Sequence, residues 1–428
     1  MTDQDIAALG PAFAGYLRGY RDCFSQTRTA AHFGNYCRGL LSDLPRKSVE
    51  PIALACGTAV RTLQEFLVTA DWRHEAARET LQRRMADILG RLPDDELGTV
   101  GVIDETSCAK KGDRTPGVQR QYLGCVGKIE NGIVTVHVGV ARGTFQALLD
   151  ADLYLPESWD ADRDRCAAAG IPDGVVYRPK WRIALDQVAR LGARGVRFDW
   201  LVFDEGYGSK VPFLDALSAA GQRFVGEVPV NFAVSTGPGA PVRRADAVLT
   251  RADAARGRRF RVGRATTADR VWRAVGYSVE AGGRAYTLVA AVSEATGEVK
   301  YFVTNAAEAS VARVLAVGFR RATIEHAFRV AKTEAGLAHY EGRQYVGLMR
   351  HLVLVLVVLG FVSIHTGRLR GGKPAGDGGA GVPCPQRPVR AGVPPAARDG
   401  GPAARRGRDP LPPTAERRSH EVTQETAA

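Results

Sequence analysis

The stretch "GTVGVIDETS", residues 98–107, decides how the middle of the chain is read. Apolar and β-branched residues run up to Asp104, the pattern of a buried strand that ends at an acid. The pattern returns in "FDWLVFDEGYG" (198–208), where a second apolar run stops at Asp204. Between them "RQYLGCVGKIENGIVTVHVGVAR" (120–142) reads as a hairpin turning at "ENG". An irregular stretch containing "LYLPESWDADRDRC" follows, then a helix around "KWRIALDQVARLGARG". After the second acid come a helix, "VPFLDALSAAG", and a strand, "RFVGEVPV". Residues 225–305 turn β-rich, with strands expected near "RFRVG", "VWRAVGYSVE", "AYTLVAAVSE" and "VKYFVTN". This order predicts an α/β mixed sheet with a second β unit before the last helices.

Upstream, residues 1–95 read as helical, most clearly in "VRTLQEFLVTADWRHEAARETLQRRMADIL". "LPRKSVEPIALACGTAVRTLQEFL" gives a short helix, a glycine-containing turn and a second helix. Arg46, Lys47, Arg61 and Gln64 are its candidate DNA contacts, and a plain helical bundle stays open as the other reading. The thirteen apolar residues "LVLVLVVLGFVSI" (352–364) fall short of a membrane span and predict a buried helix.

The chain has 428 residues, enough for two or three units, and 45% of them are hydrophobic. A net charge of +12 favours an anionic partner, nucleic acid first, and with the only long apolar run too short to span a bilayer no membrane is expected. The seven cysteines include no C-x-x-C pair, which argues for reduced thiols in the cytoplasm and against a structural zinc site. "MTDQDIAALG" lacks the basic and apolar regions of a signal peptide.

Near the end of the ordered sequence, "RATIEHAFRVAKTEAGL" (321–337) reads as a helix that stops at its glycine. At about 100° per residue, Lys332 returns to within roughly 20° of Glu325, and Arg321 to within about 40°. A lone carboxylate between two cations on one face is explained either by weak surface ion pairs or by function. Acids just past two strands of one α/β sheet sit where ligands bind in such sheets. If Glu325 joins Asp104 and Asp204, the three form a set of hard oxygen donors suited to Mg²⁺ or Mn²⁺. Two such ions can activate a nucleophile and stabilise the leaving oxygen at a phosphodiester, with Arg321 and Lys332 on the phosphates.

At this point the sequence resembles a known family. "VIDETSCAKKGDRTPGVQRQYLG", "LYLPESW", "AGIPDGVVYRPKW", "FDEGYG", "YFVTNA" and "KTEAGLAHYEGRQYVGLMRHL" are similar, in order, to blocks of DDE transposases of bacterial insertion sequences. The resemblance runs from about residue 30 to 370. It implies an RNase H-like catalytic domain (96–224 and 306–366), a β-rich insertion (225–305) and an N-terminal helical domain (1–95) that binds DNA ends. It implies that Asp104, Asp204 and Glu325 are the DDE triad, holding two metal ions. The implied partners are duplex DNA, as terminal inverted repeats and as target, and a second copy of the chain on that DNA. The implied location is the bacterial nucleoid. The wider family carries a Tyr–Arg–Glu–Lys signature. Arg321, Glu325 and Lys332 match its spacing, whereas its Tyr falls on Gly318, and the Trp that follows Arg in close relatives is Ala322. Another RNase H-like nuclease, or an inactive DNA-binding remnant, are the alternative readings.

Lesser candidates surround these residues. Lys110 and Lys111 are read as phosphate contacts or as a solvated pair, and Lys180, Trp181 and Arg343 as lining a DNA path. Glu105 and Glu205 adjoin the two Asp and point away from them by strand alternation. Residues 367–428 are expected to be disordered: from 371 to 410, 31 of 40 residues are Gly, Ala, Arg or Pro. Such a composition also arises when GC-rich codons are read in a shifted frame, so the tail is read as a possible frameshift.

Overall fold

The computed structural model describes residues 3–262 and 271–370. The tail expected at 367–428 is corrected at its start, since residues 367–370 continue the last helix, and from residue 371 on it lies outside the described residues. Helices α1 (Asp3–Arg18), α2 (Thr27–Leu41), α3 (Val49–Ala55), α4 (Val60–Val68) and α5 (His74–Leu89) come first. Strands β1 (Val100–Ala109), β2 (Gln119–Leu123), β3 (Lys128–Arg142) and β4 (Phe145–Leu153) follow. Short helices α6 (Glu157–Asp160) and α7 (Arg163–Ala168) lead to α8 (Lys180–Ala193). Then come β5 (Trp200–Phe203), α9 (Glu205–Gly208), α10 (Val211–Ala219) and β6 (Phe224–Val228). Small pieces β7 (Ala233–Val234), β8 (Arg243–Arg244), α11 (Ala245–Val248) and α12 (Arg251–Arg256) precede β9 (Arg258–Arg261). Strands β10 (Val271–Ala281), β11 (Arg284–Ser293) and β12 (Val299–Thr304) complete the β structure. The chain ends in α13 (Val311–Gly318), a single 3₁₀ turn (Phe319–Arg321), α14 (Ala322–Thr333) and α15 (Tyr345–Arg370).

The main sheet runs β2-β3-β1-β5-β6-β12-β11-β10-β9, with β4 also paired to β3. Strands β1, β5 and β6 are parallel, β3 runs antiparallel beside β1, and β4 runs antiparallel beside β3, which is the RNase H-like mixed sheet. The strands expected between 225 and 305 continue this sheet, because β12 pairs antiparallel with β6.

Two local readings need correction. β1 does not end at Asp104 but runs five residues further, with Asp104 opposite His137 on β3. Thr106, Ser107 and Cys108 are all buried and keep the pairing going. Nor does the chain turn at "ENG": Glu130, Asn131 and Gly132 lie inside β3, opposite β2, and the reversal comes at residues 124–127. Gly132 is needed there for close packing, since a Cβ would stand 2.5 Å from the Cys108 carbonyl oxygen. Asn131 closes the end of β1, its Nδ2 donating to the carbonyls of Lys110 at 2.8 Å and Gly112 at 2.7 Å.

β4 was absent from the expected order, because Asp150 and Asp152 interrupt its apolar pattern. Both acids meet a buried network instead. Arg190 of α8 donates to Asp150 at 2.9 Å and to Asp152 at 2.5 Å. Arg78 of α5 approaches Asp152 at 3.1 Å, and Gln82 donates to Asp150 at 2.9 Å. The network ties the N-terminal helices to the sheet.

α15 is apolar all round and is therefore a helix that must be enclosed on every side. Residues 345–366 are long and apolar enough to cross a membrane by length and composition, yet 83% of that window is buried inside the protein. Helices α2, α4 and α5 pack around it, Phe13 of α1 meets Phe361 at 4.7 Å, and the Tyr16 hydroxyl donates to the Val357 carbonyl at 2.9 Å.

Candidate active site

β1 and β5 are adjacent and parallel, with Val102 level with Val202. Two residues on, Asp104 and Asp204 therefore stand at the same height, Asp104 on β1 and Asp204 in extended backbone just past the end of β5. Asp104 is 8% exposed and rigidly held: Oδ1 accepts from the Glu105 amide at 2.7 Å, and Oδ2 from Arg321 Nη1 at 3.0 Å. Asp204 caps α9, its Oδ1 accepting from the amides of Gly206 at 3.0 Å and Tyr207 at 3.4 Å. Burial, and then the neighbouring Asp204, push Asp104 up to about 7 against the pull of Arg321. Asp204 is raised as well, by burial and by Glu105. The pair is short of positive charge.

Arg321 supplies part of it. At the start of α14 it sends Nη1 to Asp104 and Nη2 to Glu325, the latter at 2.7 Å. The helical spacing seen in the sequence thus becomes a bridge: Asp104, Arg321 and Glu325 are contiguous. Glu325 is the outer member, its side chain 57% exposed. Its carboxylate faces the guanidinium, and among the described residues no three Asp, Glu, His or Cys side chains converge as a ready metal cage. Lys332, two turns further along α14, is half-buried and its charge reaches His137 and Cys108 on the sheet below.

The remaining candidates separate into two groups. Lys111, Arg343 and Gln64 are exposed, and Arg61 is exposed beside Glu65 at 2.9 Å. Lys180 pairs with Glu105, on the face of β1 opposite Asp104, and its Nζ lies 5.6 Å from the Tyr154 ring centre. Half-buried Trp181 carries the Arg182 guanidinium at 5.1 Å, and Glu205 is exposed in the first turn of α9. Arg46 pairs with Glu341. Lys47 and Lys110 point inward: Lys110 Nζ donates to the carbonyls of Ala338 at 3.0 Å and Tyr340 at 2.5 Å.

Three residues near the acids had no signal in a single sequence. Tyr207 is fully buried, its phenol pushed well up by burial and by Glu105 and Asp104. Glu227, next along β6, pairs with Lys300 at 2.6 Å and adds its charge to those around Arg321. His137 lies opposite Asp104 under the Phe328 ring of α14, 5.0 Å away. Distance along the chain hides Glu227 and His137, whereas Tyr207 lies within the "FDEGYG" block and only its burial was unreadable.

The two departures from the signature have different surroundings. Gly318 is buried, and a Cβ there would stand 3.0 Å from the Phe302 ring and 3.4 Å from Val225. Phe302 thus fills the space that a side chain at 318 would need. Ala322 is exposed.

A probable transposase for insertion sequence element IS701 from Microchaete diplosiphon is 32% identical over 227 residues, 52% of this chain and 55% of that protein. The chain thus spans about half the length of this relative. The family model described as DDE superfamily endonuclease matches residues 19–285. That match includes Asp104 and Asp204 and ends before Glu325. It covers more than half of the chain, and with the paired acids on a mixed α/β sheet it places the protein in the DDE superfamily endonuclease family.

Proposed function

We propose that the protein is an insertion-sequence transposase that cuts DNA at the terminal inverted repeats of its element and joins the ends to target DNA. The observation that carries this reading is the set Asp104, Asp204, Arg321 and Glu325: a buried acid on β1, a half-buried one level with it just past β5, and one guanidinium that links the first to a third acid on a helix. Asp104, Asp204 and Glu325 are the proposed catalytic and metal-holding residues. The donor set fits Mg²⁺ or Mn²⁺, since all three are carboxylates and the two Asp lack sufficient countercharge. A pair of such ions, when bound, would supply Lewis acidity to the attacking and leaving oxygens of a phosphodiester.

The chain's own residues do the rest. Asp104 is fixed by the Glu105 amide, and Asp204 by the first turn of α9. Glu325 turns from Arg321 toward the two Asp, which releases the guanidinium for a scissile phosphate. Lys332, on the same helix face, holds a second phosphate. Residues 1–95 bind the DNA end, with exposed Arg61 and Gln64 as contacts, and Lys111 and Arg343 extend the basic path. The working form is a dimer on duplex DNA, on the nucleoid. Affinity falls steeply with salt, because each phosphate contact releases counterions.

The test uses the full chain and labelled duplexes carrying the DNA that flanks the gene, with and without Mg²⁺. Metal-dependent nicking at the element boundary, lost in Asp104→Ala and in Glu325→Gln, is the expected result. Nicking that survives either substitution overturns the assignment of that residue. Duplex binding with no nicking identifies a DNA-binding remnant instead.

A further inference from the structure

The segment that follows α14 is gripped from two sides by ammonium groups, one of buried Lys47 and one of half-buried Lys110. Lys47, in the link between α2 and α3, is 4% exposed. Its Nζ donates to the Leu40 carbonyl at 3.0 Å and to the Glu334 carbonyl. Leu40 belongs to the last turn of α2, and Glu334 is the C-cap of α14. Helix C-termini carry carbonyls without intrahelical partners and a partial negative charge. One ammonium therefore closes two helix ends nearly 300 residues apart in the chain.

The grip is built in several ways. The Lys47 amide donates to His339 Nδ1 at 2.9 Å, so backbone and side chain are both engaged. Gly336, at φ +69°, lets the strand of chain close on it: a Cβ there would stand 2.7 Å from the Lys47 Cβ. From the end of β1, Lys110 donates to Ala338 and Tyr340, and His351 Nε2 meets the Gly336 carbonyl at 3.1 Å. Residues 334–340 are thus fixed to α2, β1 and α15 together. α14 enters this anchorage directly, with its other end preceded by a 3₁₀ turn.

We infer that Lys47 is a positioning residue for Glu325. By closing α2 and α14 on one charge it sets where α14 lies over the sheet, and so how far the Glu325 carboxylate reaches toward Asp104 and Asp204. Glu325 lies nine residues before the cap, about 13.5 Å along the helix axis, and Lys332 lies in the turn that the cap holds. A functional carboxylate tolerates displacement of only about 0.5 Å. The same contact carries the seating of the N-terminal helices on a DNA end through to the helix that bears Glu325. This inference rests on the triad proposed above.

The test compares the full chain as wild type, Lys47→Met and Lys47→Gln, with Asp104→Ala as the control for the chemistry. Thermal melting confirms folding. Amide exchange without metal should quicken about tenfold in the last turn of α14 of the Met variant, with β1 and β3 unchanged. Half-saturation by Mn²⁺, read by electron paramagnetic resonance, should weaken about tenfold, as when a ligand loses its support. Single-turnover nicking of the flanking-sequence duplex should slow about 10²-fold while duplex binding is kept. A folded Lys47→Met with wild-type Mn²⁺ half-saturation and wild-type nicking overturns the inference, whatever its exchange. Should that variant not fold, Lys47→Gln, which retains an N–H donor for one carbonyl, is read against the same values. A wild type that neither binds Mn²⁺ through Asp104 nor nicks the duplex overturns the nuclease reading itself, a separate result.

Discussion

Arg321 touches both Asp104 and Glu325, and its fork geometry suits that double contact. If the guanidinium moves to a phosphate during the reaction, it acts on charge that develops there. Arg321→Ala should then lower single-turnover nicking about 10²–10³-fold, the loss typical of one preorganised donor. Arg321→Lys should recover little, because an ammonium cannot divide itself between two planar acceptors. Equal rates for Arg321→Lys and wild type would reduce the residue to a simple counter-charge. At Gly318 the prediction concerns stability. Restoring the signature Tyr should destabilise the protein by about 1–3 kcal/mol through overpacking against Phe302. Phe302→Ala in the same chain should relieve part of that loss in a denaturant titration. This pairing was invisible in sequence, where the glycine read as a missing element. The helical face of Arg321, Glu325 and Lys332 was legible, since periodicity alone fixes which side chains share a face.

At the scale of elements, β4 is the instructive failure of reading. "FQALLDADL" alternates poorly because two of its positions are acids, and exposed loops are where acids are expected. The structure buries them because α5 and α8, which the sequence does place, bring Arg78 and Arg190 to meet them. Buried charge is legible only once its partners are known. Removing one member should leave the others unpaired, so Asp150→Ala should lower stability by about 3–5 kcal/mol. Asp150→Asn, which keeps an acceptor for Gln82 and Arg190, should lose less. Equal stability of the Ala variant and wild type in urea would show that water replaces the carboxylate. The "ENG" error has the same origin: a short-range turn signal was overruled by the β1–β3 register, which depends on residues 20 or more positions away. The strands that end or pass through Asp104 and Asp204 were legible because their apolar runs are buried on both faces.

For the molecule as a whole, the mixed sheet was predicted from element order, but the joining of its two halves through β6 and β12 was not, since pairing order leaves no trace in composition. The same long-range assembly buries two histidines in separate parts of the fold. His137 lies fully enclosed beneath α14, and His351 of α15 is held between the Tyr36 hydroxyl at 3.0 Å and the Gly336 carbonyl at 3.1 Å. Burial lowers each from its ordinary 6.5 to about 3. In the unfolded chain each imidazole takes up a proton as pH falls below 6.5, whereas the folded protein cannot do so until about pH 3. The unfolded state therefore binds more protons across that window, and stability must fall as pH falls, by about 1.4 kcal/mol per pH unit for each histidine. Asp104 works in the opposite sense, because its folded value is raised and protonation from about 7 downward favours the folded state. The total slope is thus a sum of opposed contributions, and a difference between variants is the cleaner quantity. His351→Gln retains a donor for Gly336 and an acceptor for Tyr36 but cannot titrate. Urea titrations between pH 6 and 4 should show wild type losing about 1.4 kcal/mol per pH unit more than this variant. Parallel lines for the two proteins would mean that His351 takes up its proton in the folded state, which requires the α15–α2 contact to open in mild acid.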